Sequence, residues 1–74
     1  MISSVKPKDI QLTEILFEFH KVKNFVRVTA IDPITGLEAI IVGTPNYSTE
    51  HLKRLAIRKL KYVIAKFQNQ ITED

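Results

Sequence analysis

Glu18 and His20 lie two residues apart in the run Glu14-Ile15-Leu16-Phe17-Glu18-Phe19-His20, a spacing that puts both side chains on one face of an extended strand. A carboxylate beside an imidazole is part of a proton-transfer pair or of a zinc site, but zinc takes at least three protein ligands. No third ligand joins them. The chain has no cysteine, and His51 belongs to a different pattern, at the start of a helical segment. Glu18 and His20 therefore read as surface residues beside Arg27. No nucleophile has an evident base, and neither a Gly-rich phosphate loop nor a dinucleotide fingerprint occurs. The expectation is a protein without catalysis, metal, cofactor or small-molecule substrate.

The second constellation is cationic. Residues 49 to 68 carry Lys53, Arg54, Arg58, Lys59, Lys61 and Lys66 against Glu50 alone, a net +5 with His51 neutral. The rest of the chain, with five basic and seven acidic residues, sums to −2. Charge segregated onto one helix is the footprint expected for phosphate backbones, and it fits an acidic protein or an ordinary solvated face as well. Lys53, Arg54, Arg58 and Lys61 are the candidate phosphate contacts. Tyr62 alone offers a base-stacking platform beside them.

The elements that position these residues follow from periodicity. Alternation begins after Leu12, with Ile15, Phe17 and Phe19 on one side and Leu16, Glu18 and His20 on the other. Lys23-Asn24 separates this strand from a second, Phe25 to Ile31, and Asn tolerates the left-handed backbone that a two-residue hairpin turn requires. Asp32-Pro33-Ile34-Thr35-Gly36 is a strong turn signal: Asp bonds the turning backbone, Pro presets φ, and Gly accepts positive φ at the exit. A third strand, Leu37 to Val42, stops at Gly43-Thr44-Pro45-Asn46. Ser48 is placed as an N-cap with Glu50 in the first turn, and a helix is predicted from about Thr49 to Gln68. Its apolar stripe is Leu52, Ala56, Leu60, Val63 and Phe67, with Leu55 and Ile64 at the margins.

These assignments predict an α+β domain: a three-stranded antiparallel meander in order 1-2-3 with one C-terminal helix across it. Turning on Lys23-Asn24 sets Phe19 against Val28; closing the second loop with Asp32 opposite Leu37 sets Val28 against Ile41. Both turns then deliver one face of Ile15, Phe17, Phe19, Val26, Val28, Ala30, Leu37, Ala39 and Ile41, and small Ala30, Ala39 and Gly43 leave room for the helix. A one-residue slip would invert every side chain, so agreement between two independent turns supports both.

The opposite face carries Glu18, His20, Arg27, Thr29 and Glu38, but also Leu16, Phe25, Ile31, Ile40 and Val42. Five large apolar side chains are more than a solvated sheet face explains. Three readings suggest themselves: a second protein chain covers it, with symmetric self-pairing the commonest arrangement; the N-terminal arm folds back and places Ile2, Val5, Ile10 or Leu12 over it; or the side chains are simply exposed. The expectation is a self-associating interaction module whose face is Leu16, Phe25, Ile31, Ile40 and Val42, with nucleic-acid binding through the basic helix as the alternative.

Residues 1–11 show no period and read as a flexible arm, residues 12–68 as the domain, and residues 69–74 as a frayed acidic tail. Met1 to Lys6 lacks the apolar run of a secretory leader, and no stretch approaches the roughly 20 apolar residues of a membrane span; the expected location is cytoplasmic. The strand-strand-strand-helix order is also similar to the second half of a double-stranded-RNA-binding domain, with Lys53 and Arg54 in the right neighbourhood, although the first helix of that module is missing. Sheet-reading DNA domains are a poorer likeness, since Glu18 and Glu38 would repel phosphate.

Glu14-Ile15-Leu16-Phe17-Glu18-Phe19, Val26-Arg27-Val28-Thr29-Ala30-Ile31-Asp32, Thr35-Gly36, Ile41-Val42-Gly43 and Leu60-Lys61-Tyr62-Val63 together resemble a family of short bacterial proteins of unknown function. Some members carry the label serine hydroxymethyltransferase, an activity that needs a pyridoxal-phosphate lysine in a far larger fold. The resemblance implies a bacterial cytosolic origin and no site residues.

Overall fold

The computed structural model describes residues 4–72, with side chains to residue 70. A 3₁₀ turn (Pro7–Asp9) precedes strands β1 (Leu16–Val22), β2 (Phe25–Ile31) and β3 (Glu38–Gly43), and helix α1 (Thr49–Thr72) ends the chain. The strands form an antiparallel sheet in order β1-β2-β3. Its register is the one both turns imply: Leu16 faces Ile31, Phe19 faces Val28 and Val22 faces Phe25, while Val28 faces Ile41 and Ala30 faces Ala39.

Each turn is held by chemistry that can be named. The Asp32 carboxylate accepts from the Ile34 N–H (3.1 Å) and from the Thr35 hydroxyl (2.9 Å). The Thr35 oxygen in turn accepts from the Leu37 N–H, and the backbone closes with Gly36 N–H to Asp32 C=O and Asp32 N–H to Leu37 C=O. Gly36 takes φ 79°, the left-handed value anticipated for it. In the first hairpin the positive φ falls on Lys23 (50°) and not on Asn24. A positive φ at the first central position alone is the pattern of a type II′ turn, which needs no left-handed residue in second place.

Helix α1 packs over β2 and β3. Ser48 caps it, its hydroxyl accepting from the His51 N–H at 3.1 Å, and the Tyr47 ring meets the His51 ring edge-on. The core comprises Val28, Ala30 and Ala39 from the sheet, Leu52, Ala56, Leu60, Ile64 and Ala65 from the helix, and Ile10. A Cβ on Gly43 would come within 2.5 Å of a Leu52 methyl, so the missing side chain is what lets the helix start so close to β3.

Three expectations need revision. Burial follows the i+4 row Leu52, Ala56, Leu60, Ile64 and leaves Phe67 exposed and Val63 half-buried. Successive i+4 positions advance about 40° around the helix, so this row winds away from a straight stripe and toward the N-terminal segment. That segment is no bare arm: Val5 and Leu12 pack on the core with Ile10. The helix also runs through residues 69 to 72. At about 1.5 Å per residue its 24 residues extend some 36 Å, whereas a seven-residue strand covers only about 23 Å. The overhanging turns are met by Val5, whose N–H donates to Asn69 Oδ1 (2.8 Å) and whose carbonyl accepts from Asn69 Nδ2 (2.9 Å). Residues 1–3 and the acidic end Glu73-Asp74 lie outside the described residues.

Candidate interaction surfaces

The far side of the sheet is arranged in cross-strand rows set by the register. Leu16, Ile31 and Glu38 form one row, Glu18, Thr29 and Ile40 the next, then His20, Arg27 and Val42, and finally Val22 with Phe25. Leu16 (47%), Phe25 (40%), Ile40 (44%) and Val42 (62%) are exposed, and Ile31 is half-buried. The five predicted residues therefore lie on one side of the sheet. Of the residues suited to cover it, Val5, Ile10 and Leu12 pack on the core on the helix side instead, and Ile2 lies outside the described residues. Glu18 and His20 share this face with Arg27 as expected, and among the described residues no group of three or more metal-ligating side chains gathers.

The helix-facing side is incompletely covered at β1, because α1 lies over β2 and β3. Phe17 is half-buried and Phe19 remains 42% exposed. Their rings sit 6.4 Å apart, and the Lys53 ammonium lies 5.3 Å from the centre of the Phe17 ring, within the range of a cation–π contact.

The two outer rims of the sheet differ. In an antiparallel pair, residues alternate between exchanging hydrogen bonds with their partner and pointing those groups outward, and the pair flanking a two-residue turn is a bonded one. Val22 and Phe25 flank the Lys23-Asn24 turn, so Leu16, Glu18, His20 and Val22 bond β2. The N–H and C=O groups of Phe17, Phe19 and Lys21 then point away from the sheet. The same alternation carried through β2 puts the backbone groups of Ile40 on the outer rim of β3. Lys59 confirms that phase: its ammonium donates to the Ile40 carbonyl at 2.7 Å. A lysine on an edge is a common guard against strand addition. Among the described hydrogen bonds the rim of β1 has no counterpart. It is an unbulged strand of seven residues without proline.

The cations of α1 divide accordingly. Lys59 guards the β3 rim and Lys53 covers Phe17, so of the four predicted phosphate contacts Lys53 is half-buried against the sheet. Arg54 and Arg58 are exposed and Lys61 is half-buried. Arg58 lines a shallow groove of about 430 Å³ with Pro7, Leu55, Lys59 and Tyr62, which brings the Tyr62 ring beside a guanidinium. The sequence places Lys53 among the phosphate contacts and carries no sign of its contact with Phe17 or of the bond Lys59 makes to β3. No helix among the described residues is long and apolar enough to cross a membrane.

No curated protein and no solved structure matches the chain. A family match covers residues 12–67, which takes in the sheet, both turns and all but the last turn or so of the helix. On that match the chain belongs to the family described as Domain of unknown function (DUF6898).

Proposed function

We propose that this protein is a non-catalytic interaction module that pairs with a second copy of itself through the free face of its sheet, centred on Leu16, Phe25, Ile31, Ile40 and Val42. One observation carries the reading: the described part of the N-terminal segment packs on the helix side, leaving Leu16, Val22, Phe25, Ile40 and Val42 exposed on one face of the sheet. Apolar patches of that kind mark partner surfaces on soluble domains. A 74-residue chain without cysteine also gains stability from association that its small core does not supply. By its family resemblance it works in the bacterial cytoplasm.

Light scattering after size exclusion tests this across a range of concentrations. The weight-average mass is expected to rise from 8.5 kDa toward a multiple of it, and Leu16→Glu or Ile40→Glu to lower it with the helix content unchanged. A mass fixed at the monomer throughout overturns the reading.

The second reading, nucleic-acid binding through α1, is favoured by Arg58 and Tyr62 sharing one groove with Arg54 exposed on the same helix. It requires binding to RNA or duplex DNA that weakens steeply with salt, with a slope that falls in Arg54→Ala and Arg58→Ala.

A further inference from the structure

We propose that a second copy of this chain docks on the outer rim of β1, its own β1 running antiparallel about a two-fold axis through Phe19, so that two three-stranded sheets become one of six strands. The inference rests on the reading that the chain self-associates, and specifies the contact.

The unguarded rim comes first. Phe17, Phe19 and Lys21 present their N–H and C=O groups outward on an unbulged strand, while the equivalent rim of β3 is occupied at Ile40 by Lys59. Strands with open, apolar rims recruit other strands, and natural sheets guard or pair them.

Next comes the register. A two-fold axis perpendicular to the sheet keeps each face on its own side, so only residues of like face meet. Centring the axis on Phe19 pairs all seven residues of the strand. On the helix side, Phe19 meets Phe19 of the second copy, and Phe17 meets Lys21. On the free side, Leu16 meets Val22, and Glu18 meets His20. Every one of these pairs is favourable: aromatic with aromatic, aromatic with a lysine stem, aliphatic with aliphatic, and a carboxylate acceptor with an imidazole donor. Moving the axis by one residue in either direction leaves part of the strand unpaired and puts Glu18 opposite Glu18 or His20 opposite His20, which like-charge repulsion disfavours in the first case.

The ladder also accounts for exposed hydrophobes outside the five residues predicted for the free face. Phe19 and Val22 are exposed together with Leu16, and all three lie on β1. Across the new junction Ile31, Leu16, Val22 and Phe25, the last two from the second copy, form one unbroken apolar row, so the edge contact widens the free face and does not compete with it.

A single cysteine reports the axis directly. A hydrogen-bonded antiparallel pair holds its Cα atoms about 5.5 Å apart, within the roughly 4.4–6.8 Å a disulfide spans, and the chain has no other cysteine. Under mild oxidation Phe19→Cys is expected to form a covalent dimer, whereas Lys21→Cys, four residues from its own copy in this register, stays monomeric on a denaturing gel. Lys21→Pro removes an outward N–H that β2 does not use, taking two bonds from each dimer and raising the dissociation constant about tenfold or more. Glu18→Lys weakens association, and adding His20→Glu restores it. Circular dichroism of each variant at high dilution confirms the fold. If the wild type associates but Phe19→Cys crosslinks no better than Lys21→Cys and Lys21→Pro associates normally, the ladder is overturned; association lost in Ile40→Glu then leaves the face as the contact. A wild type that is monomeric at every concentration overturns both.

Discussion

The Asp32 loop decides which residues face outward, and its carboxylate is the group to remove. Asp32 is 5% exposed, and its two oxygens accept from the Ile34 N–H and the Thr35 hydroxyl. Hydrogen bonds to a charged acceptor contribute about 1.5–3 kcal/mol each. Both donors are only part-buried and regain water when freed, so the lower end applies. Asp32→Ala is expected to cost about 2–3 kcal/mol. Asp32→Asn keeps an acceptor for Ile34 but turns an amide toward Thr35, and should cost about 1 kcal/mol by the same scale. For a domain of this size each kcal/mol moves the melting temperature by roughly 4–8 °C, which places Asp32→Ala some 10–20 °C below the wild type. Urea denaturation followed by circular dichroism measures the difference, with the slope unchanged if only the loop is affected. Because wild-type association would add its own stabilisation, the comparison belongs at concentrations where both proteins are monomeric. An Asp32→Ala variant within about 0.5 kcal/mol of wild type, which is the ordinary range for a surface substitution, would refute the carboxylate's role in holding the loop.

Two backbone predictions follow. Lys23 takes φ 50° with a side chain that forms no part of the core, so Lys23→Gly is expected to relieve left-handed strain and raise stability by about 0.5–1 kcal/mol, read as a higher urea midpoint. Gly43→Ala drives a methyl to 2.5 Å from a Leu52 methyl and 3.1 Å from the Tyr47 ring. Leu52 is buried and cannot swing clear, so a loss of about 1–3 kcal/mol is expected in thermal melts.

The parts of this fold that were legible in the sequence are those governed by local backbone chemistry. Asp32, Pro33 and Gly36 announce their turn, and Ser48 announces the start of α1, because each satisfies a requirement of its immediate neighbours. The register followed from two turns and a period of two, with no tertiary information needed. What the sequence did not disclose depends on elements distant in the chain. Ile10 has no periodic neighbours, and only the overhang of α1 beyond the sheet gives it something to cover. Ile64 replaces Phe67 in the core because the N-terminal segment, not the sheet, receives that end of the helix. The candidate face was legible as a pattern of excess hydrophobes, whereas the difference between the two rims was not: it turns on where one lysine, Lys59, places its ammonium.

That difference argues for a direction of assembly. The internal covers of this small domain lie toward one side: α1 over β2 and β3, Lys59 on the β3 rim, and Val5 with Ile10 against the last turns of the helix. β1 receives the least, the Lys53 ammonium over Phe17 at one margin. A chain that evolved only to remain monomeric would be expected to guard the rim that carries exposed Phe19, since one charge or proline there suffices. Here the guarded rim is the other one, beside exposed Ile40 and Val42, and the open rim carries Leu16, Phe19 and Val22. Blocking β3 while leaving β1 open also limits growth: with one usable edge per chain, strand addition stops at two copies and cannot continue into a filament. Lys59→Ala therefore separates the two roles of the rims. It should leave the β1 contact intact and convert a closed assembly into a species whose mass keeps rising with concentration; a variant that still stops at the wild-type mass would show that Lys59 is not what closes the assembly.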